Sequence, residues 1–578
     1  MMRFRSMQDG VGAPPSPRAR GEGRDDLVVG AARRQPTVRG RIRMRLVLPG
    51  PLTFASARRM HDAVHAALSP RAGRGDAHPA WRHVLRTGGL VALTTALSAC
   101  VVGPDYARPS VETPLAFKQG GAREDSVAFV ASRKNWRPGL PNDAAERGDW
   151  WRVFKDPALD RLIRLVDVDN QSLRQSVANY RQARAIVESA QAALYPTVIG
   201  APSITRSRTL GSERTSVSIQ GQASWELDLF GRIRRTIETE AALAQADAAT
   251  LALTRLTIQA EVANNYLSLR YADSLVRVLN ANVENFKRTV AITENQYNAG
   301  VAARSDVITA QTQVQTTQAS AIAATLTRAQ FENAIATLVG RPPSELSLPV
   351  APLALVPPAV PVGIPAALLE RRPDVAQAER TVQAQSEQIG VAVAALYPTV
   401  TLSASGGISG LTSNGLLSAA NQVWAVSAAG SEVLFDGGAR SAAITAARAA
   451  YDAAVANYRQ TVLAAFADVE NGLVGVRILA RQQVAQDEAV TLARRAVEIT
   501  LNEYRAGTQN FTTVVTAQAL QLNNEVAALQ VRLARFTTAV GLIRALGGGW
   551  DARALPSDAE LKGPRLPIDL SPAVHPDE

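Results

Sequence analysis

Hydrophobic and polar positions change period several times along the chain, and the changes recur in the same order. Around 171–194, and again around 374–396, the pattern is helical and stops at Tyr195-Pro196 and Tyr397-Pro398, where proline ends a helix. Two strand-like segments follow each stop. The clearest places Val217, Ile219, Gly221, Ala223, Trp225, Leu227 and Leu229 in alternation with Ser216, Ser218, Gln220, Gln222, Ser224, Glu226 and Asp228. A period of two with one apolar and one polar face predicts a strand between two environments. Its length exceeds the usual ~5–6 residues of a globular strand and suits the ~10 that cross a bilayer at a tilt. A half-buried sandwich strand would give the same alternation. In the second half, Val400, Leu402 and Ala404 alternate with Thr401, Ser403 and Ser405, and a partner strand is expected at about 423–435.

Next comes a stretch from Arg232 to Tyr297 with neither Pro nor Gly. As one helix it would reach ~100 Å at 1.5 Å per residue. Gly300 breaks it, and Ser305 is the expected N-cap of a second helix running to about Gly340. The second half repeats this with helices at about 439–504 and 511–546, broken at Gly507. Small residues such as Ala241, Ala242, Ala244 and Ala246 favour close, coiled-coil-like packing of these hairpins.

The recurrence is also literal. Residues 192–198, Ala-Ala-Leu-Tyr-Pro-Thr-Val, return unchanged at 394–400. Leu229-Phe230 returns as Leu434-Phe435, and Tyr297-Asn298-Ala299-Gly300 as Tyr504-Arg505-Ala506-Gly507. Copies this long indicate a duplicated architecture and not a short-period solenoid. Nine prolines between Arg341 and Pro373 mark an extended connection. The expected organisation is a non-structural extension (1–80), a leader (81–99), an extended segment (100–149), a first copy (150–345), a linker (346–373), a second copy (374–550) and a tail (551–578).

Charge alters this picture only at the start. The chain is +11 overall, yet residues 1–99 hold 17 Arg, no Lys and six acids, so the whole excess lies there and 100–578 is balanced. A nucleic-acid partner is therefore not expected. Beyond residue 99 the chain has one Cys (Cys100) and one His (His575), which excludes a His-based triad and a His/Cys metal cluster. No cofactor and no catalytic residue is expected.

Arg82 and Arg86 precede a short apolar run, Leu90 to Leu97, too short to span ~30 Å of hydrocarbon, which reads as a signal peptide. Leu97-Ser98-Ala99-Cys100 resembles a bacterial lipobox, so Cys100 is the expected lipid-modified first residue of the mature protein. Val101 after it, instead of Asp, favours delivery to the outer membrane.

Four bilayer-type strands cannot close a barrel, and an open edge in lipid leaves unpaired amides costing several kcal/mol each. Several chains must share one barrel, and three would supply twelve strands. Cys100-Val-Val-Gly103-Pro104-Asp105-Tyr106, Trp150-Trp151-Arg-Val-Phe154-Lys-Asp156-Pro157, Leu369-Glu-Arg371-Arg372-Pro373-Asp374-Val375 and Leu434-Phe-Asp-Gly-Gly438 stand in this order. With them the chain over about 100–550 resembles the TolC-like outer-membrane factor family, nearest its NodT/OprM-type lipoprotein branch.

The resemblance implies a mixed α and β homotrimer, with a 12-stranded outer-membrane β-barrel, four strands per chain, continued by a long periplasmic α-helical barrel. It implies a tripartite efflux system for small molecules, with a periplasmic membrane-fusion adaptor and an inner-membrane RND-type transporter as partners, and outer-membrane lipid around the barrel. Gln220, Gln222, Glu226 and Asp228 would line the lumen, with Trp225 and Leu227 facing lipid. Tyr297, Gly300, Ser305 and Asp306, with Tyr504, Gly507, Thr513 and Thr516, would form the tips that dock the adaptor and narrow the pore. The family often places acids in the second tip; here 512–517 has none, which puts a strongly cation-selective constriction in doubt. Trp150 and Trp151 are expected to pack an equatorial layer. Two other readings remain open at this point: a type I protein-secretion channel of the same fold, and a structural trimeric coiled-coil lipoprotein without conduction.

Overall fold

The computed structural model describes residues 101–111, 113–114, 117–118, 149–354, 356–358, 371–411 and 416–563. Cys100, the leader and the last fifteen residues lie outside them. After a short 3-10 turn at Trp150–Phe154, the helices are α1 (Pro157–Asp169), α2 (Gln171–Ala192), α3 (Arg232–Asn298), α4 (Arg304–Leu338), α5 (Pro373–Ala394), α6 (Ala439–Arg505), α7 (Phe511–Ala545) and α8 (Asp558–Lys562). The strands are β1 (Thr197–Thr209), β2 (Ser212–Leu227), β3 (Thr399–Gly410) and β4 (Gln422–Ser431), in one antiparallel sheet of order β1-β2-β3-β4. β1 and β2 join through Leu210-Gly211, both at positive φ (50° and 82°), a two-residue turn that matches strand twist.

The helices stand in four columns. α3 and α6, each 67 residues, run the full length. α3 packs against α2 and α4 on one side and α5 and α7 on the other, while α6 packs against α5 and α7. α2 and α4 thus form one outer column and α6 the other. Within the two-piece columns the pieces abut. Gly340, at φ +75° behind α4, lies so close to Asp169 that a Cβ would sit 2.1 Å from its carbonyl oxygen. Gly547, behind α7, stands in the same relation to Arg371, at 1.9 Å. The Asn170 amide donates to the Leu338 carbonyl (2.6 Å), and the Arg372 guanidinium to that of Ala545 (3.1 Å), so side chains tie these carbonyls across each joint.

The main core lies beside the first joint. Trp150, Trp151, Phe154, Leu159, Leu162, Ile163 and Val166 pack onto Tyr266, Leu267 and Leu269 of α3 and Phe536 and Val540 of α7. α1 arises from Leu159, Leu162, Ile163 and Val166 at helical spacing, behind an Asp156 carboxylate that accepts from the Ala158 and Leu159 amides. Asp156 also accepts from the Tyr266 hydroxyl (2.5 Å). A polar clamp next to this core fixes the connection between the halves. Buried Asp273 accepts from Arg270 (3.1 Å), Arg328 (2.7 Å) and the Ala351 amide (3.1 Å). Arg270 donates to the Pro349 carbonyl, and Ser274 accepts from the Leu353 amide. The segment 348–353 is thereby strapped to α3 and α4.

Candidate functional site

Register decides which side chains share a face. β2 pairs with β1 from Thr197↔Ser224 to Thr209↔Ser212, and with β3 from Leu227↔Val400 to Val217↔Gly410. One face therefore collects Gln220, Gln222, Ser224 and Glu226 with Ser203, Ser403, Ser405 and Ser427. Gln222, Ser224, Ser403, Ser405 and Ser427 line a groove of about 430 Å³ on it. The other face collects Val198, Ile204, Ile219, Trp225, Leu402, Trp424 and Val426. Trp424 is 82% exposed there, and no described residue covers this face. An uncovered apolar face of this breadth is at home in hydrocarbon.

One expectation for β2 needs correction. Asp228 lies beyond the strand, which ends at Leu227. Its carboxylate accepts from the Ile233 and Arg234 amides (3.0 and 2.9 Å) and from the Arg234 side chain, so it caps α3. Glu226 is on the strand and on its polar face, where Arg232 meets both its oxygens at 2.7 Å and matches its charge. Gln220 and Gln222 are where the alternation puts them. Asp436 repeats the capping arrangement ahead of α6, accepting from the Gly438 amide (2.9 Å) and from the amide and side chain of Arg440 (3.1 and 2.6 Å). The Arg440 guanidinium, with these amides, holds the Asp436 carboxyl at about 2.

The hairpin turns are built alike. Gly300 (φ +73°) donates to the Tyr297 carbonyl and Val301 to that of Gln296; Gly507 (φ +71°) donates to Tyr504 and Thr508 to Glu503. Each glycine supplies the left-handed residue of a helix C-terminal motif, with open space where a Cβ would point. Ser305 is not the cap: α4 starts at Arg304 with Ala303 in the capping position, which places Ser305 inside the first turn beside Asp306. Asn510 does cap α7, accepting from the Thr513 amide (3.0 Å).

The two tips differ in burial. Tyr297 is exposed, whereas Tyr504 is buried with Phe511, Val514 and Ala310, so the second hairpin leans on the first. Gln296 donates to the Tyr504 carbonyl (3.1 Å) and Gln518 to Thr289 (2.8 Å). Burial pushes the Tyr504 hydroxyl pKa up. Thr516 is exposed, its hydroxyl bonded back to Thr512.

Sequence reasoning did not find the strand–helix junction as a site. Phe230 stacks on Tyr397 (4.7 Å between rings, 21° between planes), and Trp225 donates to the Leu194 carbonyl (2.9 Å). Val102 donates to the Phe230 carbonyl, and Val101 packs on Gly231, so the residue after Cys100 sits at the foot of the sheet. The recurrence of Leu-Phe and Tyr-Pro was the available signal. Among the described residues no group of three or more His, Cys, Asp or Glu side chains is placed to hold a metal.

A four-stranded sheet with one lipid-type face, set on helices of ~100 Å, defines a subunit of an outer-membrane channel with a periplasmic helical portion. The chain belongs to the outer membrane efflux protein family, whose profile matches residues 162–341 and 364–548. It is 30% identical over 465 residues to the pyoverdine export outer membrane protein OpmQ of Pseudomonas aeruginosa, covering 76% of this chain and 94% of that one. It is also 30% identical to the solvent efflux pump outer membrane protein SrpC of Pseudomonas putida, over 78% and 96% of the two chains. Among solved structures, the outer-membrane channel OprN matches 78% of this chain and all of its own, with a TM-score of 0.70 and 31% identity. The open-state MtrE channel of Neisseria gonorrhoeae matches with a TM-score of 0.68 at 26% identity, over 78% of this chain and 99% of its own. The protein is an outer-membrane component of an efflux system.

Proposed function

We propose that this chain is one third of a passive conduit. Its two halves are copies, three chains close a 12-stranded barrel and a helical cylinder, and small molecules cross the outer membrane through the shared lumen. The observation that carries this reading is the pair of open edges. Among the described residues β1 and β4 each lack a neighbour on one side, and the outer helical columns, α2 with α4 and α6, each pack against a column on one side only. An unpaired strand edge is untenable in lipid, so closure must come from further chains. Gln220 and Gln222 face the lumen and Trp225 and Trp424 face lipid.

A periplasmic adaptor docks at the tips around Gly300 and Gly507, and an inner-membrane transporter supplies the energy; no bond is made or broken. The cargo is a small molecule, as the names of its relatives suggest. Lipid on Cys100 would lie beside the foot of the barrel, because Val101 packs there. Two measurements on protein extracted from membranes test this. Native mass spectrometry is expected to give a trimer, each chain heavier than 100–578 by the acyl groups. Planar-bilayer recording is expected to show discrete conductance steps; a stable monomer without conductance would sink the reading.

A further inference from the structure

Charge on the two β-hairpins is confined to the first and to its ends. From Thr399 to Ser431 the second hairpin has no charged residue. The first, from Thr197 to Leu227, has Arg206, Arg208, Glu213, Arg214 and Glu226. Glu226 lies at the foot, where Arg232 matches it. The rest cluster around the Leu210-Gly211 turn at the opposite end, three Arg against one Glu, a net of +2. The periplasmic helices leave the sheet at its foot, so the turn faces the exterior.

Register divides this cluster between two faces. Arg206 pairs with Thr215 and Arg208 with Glu213, in step with the Ile204–Val217 pair, so all of them continue the apolar face of Val198, Ile219 and Trp225. Arg214, opposite Ser207, belongs to the polar face with Ser218 and Gln220. Glu213 joins the two arginines on its own face: its carboxylate accepts from Arg206 at 2.6 Å and stands 4.0 Å from Arg208. One carboxylate between two guanidiniums leaves a positive charge there, on side chains 73% and 69% exposed. The height is that of a membrane surface. From Trp225 to Thr215 the strand climbs ~34 Å, or ~25 Å at the tilt of a barrel strand, which is the height of an apolar band. Trp225 thus lies at one edge of the hydrocarbon and Arg206 at the other. Pairing with β3 ends at Gly410, opposite Val217, so the arginines stand on a two-stranded overhang.

We propose that Arg206 and Arg208 form a binding site for the phosphate groups of outer-leaflet lipid. A guanidinium presents paired N–H donors that match phosphate oxygens, and Glu213 holds two guanidiniums side by side. One head group meets both, while its acyl chains run down the sheet over Ile204, Val217 and Ile219. The apolar surface directly below the charge selects an anion that carries acyl chains over a soluble one. Arg214 has serine and glutamine below it and offers no such support. With no counterpart on the second hairpin, the site occurs once per chain. Holding phosphate at one end only fixes the height of the sheet against the outer leaflet.

This site rests on the membrane-spanning reading above, and the test separates the two. The full chain, extracted in a neutral detergent, is titrated with lipid A, and native mass spectrometry counts the molecules bound per assembly. The wild type is expected to retain lipid A in preference to its dephosphorylated form, and inorganic phosphate is expected not to displace it. Arg206→Gln/Arg208→Gln should weaken lipid A binding by about 10–30-fold, and Arg208→Gln alone by about fivefold, the worth of arginines at a membrane surface. Arg214→Gln removes one charge from the same hairpin on the other face and should leave binding unchanged. Weakening by Arg214→Gln equal to that by Arg208→Gln would reduce the effect to net charge and overturn the site. Equal retention of the dephosphorylated lipid by the wild type would do the same, and that comparison needs no variant to fold. Displacement by inorganic phosphate would overturn lipid as the occupant. The same spectra report assembly, and bilayer recording reports conductance. Conducting trimers with no phosphate preference overturn the site and spare the channel; a non-conducting monomer overturns both.

Discussion

α3 and α6 have the same length, follow the same kind of strand and end in the same kind of turn, yet they live in different surroundings. Of 67 residues each, 29 are buried in α3 and 8 in α6. α3 has columns on both sides and α6 on only one, so like patterns give a core helix in the first half and an edge helix in the second. Burial is thus set by position in the columns more than by pattern. The buried ion network follows the same rule: Asp273 holds Arg270 and Arg328 in α3 and α4, while the matching position in α6 is Ala480, with no linker to strap.

The comparison is broken most severely at the column joints. Gly547→Ala would force a Cβ to within 1.9 Å of the Arg371 carbonyl oxygen at a φ of +90°. About 3 kcal/mol or more of stability should be lost through strain and displaced backbone, read as a large fall in thermal midpoint or failure to assemble. Gly507→Ala shares only the φ penalty, about 1–2 kcal/mol, because its Cβ meets open space, and should leave assembly intact. Comparable losses at both positions would show that the columns do not abut as described.

Asp273→Ala leaves the buried Arg270 guanidinium without its carboxylate, while Arg328 keeps Glu332, and should cost about 3–5 kcal/mol, with faster proteolysis at 346–358. Ala480→Asp should not reproduce the clamp in α6. At the tips, Thr516→Asp would add a like charge from every chain around the entrance and raise cation preference in bilayer recordings. Thr309→Asp, at the matching place in the first tip, gives the contrast: reversal potentials unchanged from the wild type in both variants would place neither at the constriction.

The smallest effect is expected in acid. Asp436 is held below its ordinary value of 3.8, at about 2, by Arg440 and two amides. A depressed folded value contributes stability above the ordinary pKa that is lost as pH falls through the lowered one. Between pH 4 and pH 2 the wild type should therefore lose this increment. Asp436→Asn should have a flatter stability curve over that window, measured by thermal unfolding in detergent.

Much of this was legible before any coordinates. β2, α3, α6 and the hairpin breaks follow from long, uninterrupted periods, and the shared face of Gln220 and Gln222 from a period of two. α1 was missed although Leu159, Leu162, Ile163 and Val166 stand at helical spacing, because its 13 residues are short beside its neighbours. The strand at 423–435 was drawn too long, since Val433 and Leu434 continue an apolar run after pairing has ended at Ser431. Asp228 was assigned to the strand because it keeps the alternation, whereas the amides of the helix that follows claim its carboxylate. The Asp273 clamp and the Phe230–Tyr397 stack join residues far apart in sequence, and such partners leave no local trace.

The strap at 348–353 bears on how a channel of this kind comes together. In the trimeric reading the ring has six nearly equivalent seams, and three of them lie inside single chains. Holding two halves on one tether gives each a high effective concentration of its neighbour, so those three junctions form without any search. Only three bodies must then meet by diffusion, in place of six. The kinetic order of assembly falls accordingly, and so does the translational and rotational entropy lost in collecting the pieces. A clamp that looks merely structural, one Asp and two Arg on a proline-rich strap, thereby helps to set how scarce the protein can be and still form a closed ring.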